Sequence, residues 1–328
     1  TFQDTASLDD LKFFWNTLER AHYQSPGLRV VLASRERLRH QDHLRVLQNG
    51  AEGETLEPLS SHDSDALLRE MGVGDAAYRD AVFARLGQGH PLITRMAAEA
   101  WLATPGGIPA DSVPRLAGRD EAVEWVQGRI LDQLPPALKQ AARWAALLRW
   151  FDADLLARLL SERLSDDDFR NFTRYAFVVR PRLAPEAWAC HDLVRRVQSG
   201  YLRRARPAQF TEFHERCARH FAEQQLSAEA LYHHFFVNSE EAFAIWESLE
   251  SRAAFQFDHP IWASLMEIGL APEFELAPQQ RAEVAFRAGR RHYYRAEWDL
   301  ATSHLSEALI LFRAVGAKLG EANVLKAI

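Results

Sequence analysis

Apolar residues recur at helical spacing through most of this sequence, and strand-like runs are few. Near the N-terminus, apolar positions from Leu8 to Leu18 repeat every three or four residues. A break at Ser25-Pro26-Gly27 then leads into the β-branched pair Val30-Val31, so the pattern predicts a helix followed by a buried strand. Only one strand is predicted here, whereas a nucleotide-binding α/β sheet has about five. We therefore interpret residues 1–50 as the C-terminal remnant of an α/β core.

Residues 51–118 have the pattern of a small helical domain. Helical periods cover residues 63–71 and 78–86, and a third helix is predicted up to Trp101. The Gly-rich Gly87-Gln88-Gly89 separates the last two helices. The Gly- and Pro-rich residues 104–109 predict the loop that leads out of this domain.

Residues 119–207 combine helices with a predicted β-hairpin. Two β-like runs, 175–179 and 187–190, precede a helix that begins at Leu193. The helices predicted before the hairpin cover residues 121–133, 136–148 and 152–160. Helices, a hairpin and a further helix in this order are typical of a winged helix. The acidic run Asp166-Asp167-Asp168 is predicted to be a solvated turn that caps a helix at Phe169.

Residues 208–328 are predicted to be helical throughout, and their last part has a repeat signature. The order of small and large residues matches a tetratricopeptide unit, in which small residues let two antiparallel helices pack closely, at Gly289, Tyr293, Ala301, Leu305, Ala308 and Phe312. Residues 321–325 resemble residues 282–285 and predict the start of a second unit. Because a solenoid needs about three repeats, we expect this region to continue beyond the chain. Core packing explains the tryptophans on apolar helical faces, which are Trp144, Trp150, Trp246, Trp262 and Trp298.

Composition narrows the classes of protein. A net charge of -6 gives no overall attraction to nucleic acid or to an anionic membrane. Cys190 and Cys217 form no C-x-x-C pair, which fits a reducing compartment. No apolar run reaches the roughly 18–20 residues of a membrane span. No metal-ligand spacing occurs, and His233-His234 is interpreted as helix packing. We therefore predict a soluble cytoplasmic protein without a membrane or metal site.

Three short motifs could bind phosphate or support a phosphate site. The strand-like run that begins at Val30 ends in Arg35, whose planar charged fork suits phosphate oxygens. Gly89 permits a tight turn, and Pro91 suits the first position of the helix that follows. His191 can donate a hydrogen bond to phosphate, and Asp192 is predicted to cap the helix at Leu193.

Together, these motifs and their order resemble the C-terminal two thirds of a STAND-type signalling ATPase, a class related to the NB-ARC and AAA proteins. The resemblance implies that Arg35 is a sensor of the γ-phosphate and that Gly89 and Pro91 form the Gly-x-Pro lid motif beside the adenine. It also implies that His191 contacts the β-phosphate of ADP in the closed state, with Cys190 at the family's usual Met. Thr1-Phe2-Gln3 resembles the residues that follow the magnesium-site Asp.

The resemblance implies a nucleotide-dependent signal-transduction switch. Its domains would be the P-loop ATPase remnant (1–50), a helical lid (51–118), a winged helix (119–207) and the repeat region (208–328). ATP or ADP with magnesium would bind the intact protein, a slow ATPase. A protein partner or ligand would bind the repeats, and the activated protein would form a homo-oligomer.

No G-x-x-x-x-G-K-[ST] phosphate loop occurs in the sequence. We therefore expect this chain alone to be inactive and to hold no nucleotide tightly. No nucleophile, base and orienting residue occur together, and no catalytic residue is assigned.

Two alternatives from other classes remain open. A helical-repeat adaptor without a nucleotide role predicts that Arg35, Pro91 and His191 do not meet in one cleft. A winged-helix transcriptional regulator would contact DNA phosphates through basic residues, chiefly Arg203, Arg204 and Arg206. It predicts one continuous positive face that includes Arg195, Arg196, Arg203 and Arg204.

Overall fold

The computed structural model describes residues 17, 20, 21, 24, 25, 57–86, 88–116, 118–160, 163–181 and 186–328. These residues are mainly helical, with fifteen α-helices and a single two-stranded sheet among them, so the predicted mainly α fold class is confirmed. One compact unit holds residues 57–213, and residues 214–328 belong to another. The strand predicted at Val30-Val31 lies outside the described residues.

The first of these units contains eight helices and the sheet within its described residues. The helices are α1 Ser61–Glu70, α2 Ala76–Leu86, α3 Pro91–Ala103, α4 Arg119–Gln133, α5 Pro136–Ala145, α6 Ala153–Leu160, α7 Asp166–Phe172 and α8 Asp192–Ala205. Strand β1 Val178–Val179 pairs antiparallel with β2 Ala189–Cys190, with Val178 opposite Cys190. The predicted helices therefore form, whereas each β-like run contributes only its last two residues to the sheet.

Aromatic packing joins the helices of this unit to the hairpin. Phe151 stacks on Phe172 with ring centroids 5.5 Å apart, and both side chains are fully buried. The backbone of Phe151 also exchanges hydrogen bonds with Trp188, next to β2. Phe151, just before α6, therefore connects the hairpin to α7, because its ring stacks on Phe172 and its backbone pairs with Trp188.

Helix α7 begins earlier than its sequence pattern predicts. Ser165 is the N-cap, and its hydroxyl oxygen accepts the Asp168 N–H at 3.1 Å. Asp166-Asp167-Asp168 therefore forms the first helical turn. The prediction that this run caps the helix is wrong. Negative charge in a first turn is favourable, since the N-terminal end of a helix carries partial positive charge.

Residues 214–328 are helical, and short connections separate their helices. The helices are α9 Pro207–Glu223, which begins within the first unit, and α10 Ser227–Phe235, α11 Ser239–Gln256, α12 His259–Gly269, α13 Pro278–Tyr294, α14 Trp298–Ala314 and α15 Lys318–Ala327. Trp246 and Trp262 lie in the core, and the Trp246 Nε1–H donates to the Leu265 carbonyl at 2.8 Å. Core packing is therefore confirmed for these two tryptophans.

Helices α13 and α14 pack closely where Gly289 meets Leu305. A Cβ on Gly289 would lie 2.7 Å from Leu305 Cγ, so the glycine is needed for this approach. Four further residues of the repeat signature are buried in the same way, namely Ala301, Leu305, Ala308 and Phe312.

Trp298 of this helical pair was assigned wrongly from the sequence. Core packing was predicted for it, but its side chain is 57% exposed, and Tyr293 of the repeat signature is 49% exposed. His292, next to Tyr293, is largely buried, and its ring stacks on His304 with centroids 5.3 Å apart.

Candidate functional site

Gly89 makes the turn that precedes α3. Its φ is +85°, and its carbonyl accepts the Leu59 N–H at 2.8 Å. A Cβ at this position would lie 2.0 Å from the Leu59 carbonyl oxygen, so glycine is required both by the backbone angle and by the space. Pro91 is the first residue of α3, and His90 is its N-cap, without a side-chain capping bond.

His191 stands between the hairpin and α8. Its backbone N–H donates to the Phe177 carbonyl at 2.7 Å, and its Nδ1 accepts the Leu193 N–H at 3.2 Å. His191 is therefore the N-cap of α8, and the prediction that Asp192 caps this helix is wrong. Asp192 lies in the first turn and pairs with Arg195 at 3.3 Å. Because Nδ1 is an acceptor, the proton of the neutral imidazole is on Nε2, where it can be donated.

Cys190 occupies the position before His191. Its side chain is fully buried, and burial raises the pKa of its thiol to about 12. The thiol is thus protonated near neutral pH and packs as a small apolar group. Packing, rather than chemistry, is the contribution of this residue.

The Gly89-His90-Pro91 turn lies close to His191. The pKa of His90 is lowered first by burial, and then by the neighbouring Arg119 and His191. Two motifs about 100 residues apart in sequence are thus near enough, within one compact unit, to interact electrostatically. Sequence reasoning missed Arg119, whose only signal was its place after Gly118 at the start of a predicted helix.

Three helices begin at this cluster. His90 is the N-cap of α3, Arg119 is the first residue of α4, and His191 is the N-cap of α8. The N-terminal end of a helix presents unpaired N–H groups and partial positive charge. The partial positive charges of the three helix starts therefore add to the permanent charge of Arg119.

Polar groups at the cluster have unused hydrogen-bonding capacity. The Nδ1 atom of His90 is buried and has no hydrogen-bond partner among the described residues. Arg119 is exposed and forms no ion pair within the same part of the chain. No carboxylate contributes to the pKa shift of His90. These donors and the permanent charge of Arg119 suit an anionic ligand, above all a phosphate. We call His90, Arg119 and His191 the cationic cluster, after the charge of Arg119.

The fourth predicted site residue, Arg35, lies outside the described residues. Of the other predicted site residues, Gly89 and Pro91 flank His90, and His191 is near enough to His90 to affect its pKa. Residues 1–3, which resemble the segment after the magnesium-site Asp, also lie outside the description.

The basic residues of α8 are partly neutralised. Arg196 pairs with Asp120 of α4 at 2.6 Å, and Arg204 lies 4.0 Å from Glu124 of the same helix. Arg195 pairs with Asp192 in its own helix. These carboxylates interrupt the continuous positive face that a DNA-binding winged helix would present.

Buried histidines in residues 214–328 have packing roles. His214 Nδ1 and His233 Nδ1 are 2.8 Å apart, and both rings are fully buried. Burial and the neighbouring His233 hold the pKa of His214 well below its usual range. The packing role predicted for His233 is confirmed.

No three His, Cys, Asp or Glu side chains among the described residues are grouped so as to hold a metal ion. Within the same residues, no helix is both long and apolar enough to cross a membrane.

The chain matches no protein-family model, and no curated protein is significantly similar to it. The functional assignment therefore depends on the residues of the site themselves.

Proposed function

We propose that this chain is part of a STAND-type nucleotide switch, in which residues 51–118 act as the helical lid and residues 119–207 as the winged helix. One observation carries the proposal: the Gly89-His90-Pro91 turn and His191 belong to a single cationic cluster at three helix starts. A plain helical adaptor gives no reason for these two motifs to meet.

The residues fit a nucleoside diphosphate. In the proposed resting state, His191 donates its Nε2–H to a phosphate oxygen of ADP, and Arg119 supplies a permanent charge. The helix starts add N–H donors to the same anion. Gly89 and Pro91 would contact the base, and Arg35 would complete the site from the ATPase core. Magnesium would accompany ATP or ADP in the intact protein and neutralise phosphate charge there.

The C-terminal helices are proposed to sense a protein partner or ligand. Tyr293, Tyr294 and Trp298 are exposed and touch one another, with Tyr293 and Trp298 edge to face at 5.3 Å. Arg290 lies over the Tyr294 ring. Aromatic side chains and arginine are enriched in protein interfaces. A partner that binds only one domain arrangement would shift the switch toward the ATP-bound, oligomeric state.

ADP calorimetry on the intact protein tests this function. We expect tight ADP binding that weakens about 10- to 100-fold in His191→Ala, since a hydrogen bond to a charged group contributes about 1.5–3 kcal/mol. His62→Ala is the matched control, because His62 is an exposed histidine on α1 of the same unit. We expect it to bind ADP like the wild type. An intact protein that does not bind ADP would overturn the proposal and favour the repeat adaptor.

A further inference from the structure

Glu99 connects helix α3 to the segment that precedes the hairpin. Its Oε1 accepts the Ala176 N–H at 2.7 Å, although the two residues are 77 positions apart in sequence. Its Oε2 is buried and has no hydrogen-bond partner among the described residues. This carboxylate therefore makes one directed contact across the unit, and half of its hydrogen-bonding capacity is unused.

That contact lies one residue from the support of His191. Ala176 is followed by Phe177, whose carbonyl accepts the backbone N–H of His191 at 2.7 Å. Strand pairing continues from there, with Val178 opposite Cys190. Glu99 thus holds one end of a two-residue segment, and the backbone of His191 is bonded to the other end.

Helix α3 carries the second half of the cluster. His90 caps this helix and Pro91 begins it, and Glu99 lies eight residues after Pro91 on the same rigid element. A helix transmits the position of one residue to another because its rise is fixed at about 1.5 Å per residue. Glu99 therefore fixes α3, with its turn at Gly89, relative to His191.

We propose that Glu99 is a positioning residue that holds His191 in register with the Gly89-His90-Pro91 turn, and that ionisation of Glu99 loosens the ADP-bound arrangement. This inference rests on the proposed function, because it assigns regulation to the same site. The protonated carboxyl still accepts the Ala176 N–H, whereas ionisation leaves a buried charge whose second oxygen has no hydrogen-bond partner among the described residues, which costs free energy.

The surroundings of Glu99 place its titration near neutral pH. Burial raises the pKa of Glu99 to about 7, while the Ala176 N–H and Arg95 of its own helix act in the opposite direction. Tyr175 faces Glu99 from the segment after α7, and burial and the Glu99 charge raise the pKa of its phenol. Tyr175 stays neutral near pH 7, and Arg95 stays charged. The titration between pH 6 and 8 thus belongs to the carboxyl of Glu99.

The sign of the linkage follows from this raised pKa. The ordinary value for Glu is 4.5, so the folded state binds the Glu99 proton more tightly than the unfolded state does. The resulting stabilisation is fully present below pH 4.5 and is lost as the pH rises through about 7. Above pH 7, the buried Glu99 is charged, and this charge opposes the packing that surrounds it. We therefore expect ADP to bind more tightly at pH 6 than at pH 8.

Nuclear magnetic resonance of the full 328-residue chain tests the coupling without nucleotide. We expect the Ala176 and His191 amide signals to share a titration with a midpoint near pH 7, and this shared component to vanish in Glu99→Gln. Glu70→Gln removes an exposed glutamate from α1 and should leave both titrations unchanged. A His191 amide that does not follow the Ala176 amide would overturn the coupling.

ADP calorimetry on the intact protein then tests the consequence for the switch. We expect ADP to bind about tenfold more weakly in Glu99→Ala, and the double variant with His191→Ala to bind no more weakly than His191→Ala alone. Glu99→Gln keeps a neutral acceptor, should fold normally, and should bind ADP with the pH dependence removed. Additive losses would show that Glu99 does not act through His191. If the wild type fails to bind ADP, the proposed function fails, while the amide titrations still decide the coupling.

Discussion

Two carboxylates withdrawn from solvent, one in each unit, have opposite surroundings. Glu250 on α11 is 4% exposed, and it accepts hydrogen bonds from Trp262 Nε1 at 2.9 Å and from Arg287 Nη1 at 2.5 Å. Glu99 on α3 accepts a single backbone N–H, and its second oxygen has no hydrogen-bond partner among the described residues. The buried charge of Glu250 is thus compensated by two side-chain donors, whereas Glu99 has a donor among the described residues for only one of its two oxygens.

The difference separates stability from function. Arg287 on α13 contacts Glu250 and two further carboxylates, Glu247 at 3.4 Å and Glu283 at 2.7 Å, and so connects helices α11 and α13 of the C-terminal unit. Buried charges that are fully paired in this way act as internal supports. The cationic cluster has charge left over, and unmatched charge is what a ligand can complete.

Replacing Arg287 tests the paired Glu250 site, and it should cause the largest loss of folding stability. In Arg287→Ala, Glu250 would stay buried without its cationic partner, and breaking a buried pair from one side costs about 3–5 kcal/mol. We expect the C-terminal helices to unfold at clearly lower urea concentration, as measured by hydrogen exchange in α11 and α13.

Arg281→Ala is the matched control for this prediction. Arg281 is an exposed arginine on the same helix, and its loss should change stability by less than about 0.5 kcal/mol. Equal effects of the two variants would mean that the Glu250 site is not held by the Arg287 pair.

A substitution at Gly89 tests the turn beside the cationic cluster, and it should lower the stability of the fold by an intermediate amount. Gly89→Ala places a Cβ against the Leu59 carbonyl oxygen at a φ of +85°, and should cost about 2 kcal/mol or more. The change would displace the start of α3. We expect the Leu59 amide to lose protection in hydrogen exchange, because its acceptor is the Gly89 carbonyl.

Gly74→Ala provides the comparison in the same unit. An added Cβ there meets nothing within 4 Å, and the backbone angle is not positive. This variant should be within about 0.5 kcal/mol of the wild type. Unchanged protection of Leu59 in Gly89→Ala would show that this turn tolerates a side chain.

Periodicity predicted the elements, because helices are encoded locally. The helices around Gly289 and Leu305 were found from small and large residues that recur at helical spacing, and the helix at Pro91 was found from its first residue. Helix ends were less accurate: Ser165 competes with Asp166 for the cap of α7, and only hydrogen-bond geometry decides between them.

Long-range contacts could not be predicted from the sequence. Arg119 belongs to the cationic cluster, and Glu99 to the support of His191, because of tertiary packing between segments that lie about 30 and about 77 residues apart. Neither residue has a local pattern that marks it. His191 itself was predicted as a site residue, although its second role as the cap of α8 was assigned to its neighbour Asp192.

Replacing Trp298 should have the smallest effect on stability, and it sharpens the comparison within one unit. The Trp262 indole N–H is bonded to Glu250 in the core, whereas the Trp298 ring is 57% exposed and touches mainly Tyr293. We expect Trp298→Ala to change the free energy of unfolding by less than about 1 kcal/mol, against about 3–5 kcal/mol for Trp262→Ala. Urea unfolding measures both.

The same variant distinguishes an interface residue from a structural one. If Trp298 serves partner recognition, Trp298→Ala keeps the fold and loses partner binding, because interface hot spots are rich in tryptophan and tyrosine. Acrylamide quenching should show a smaller accessible fraction of tryptophan emission, since the removed ring is exposed. A loss of stability above about 2 kcal/mol would instead mean that the ring contact with Tyr293 holds the helical hairpin together. The exposed surface would then be part of the scaffold, and partner sensing would have to be assigned to another face of the C-terminal helices.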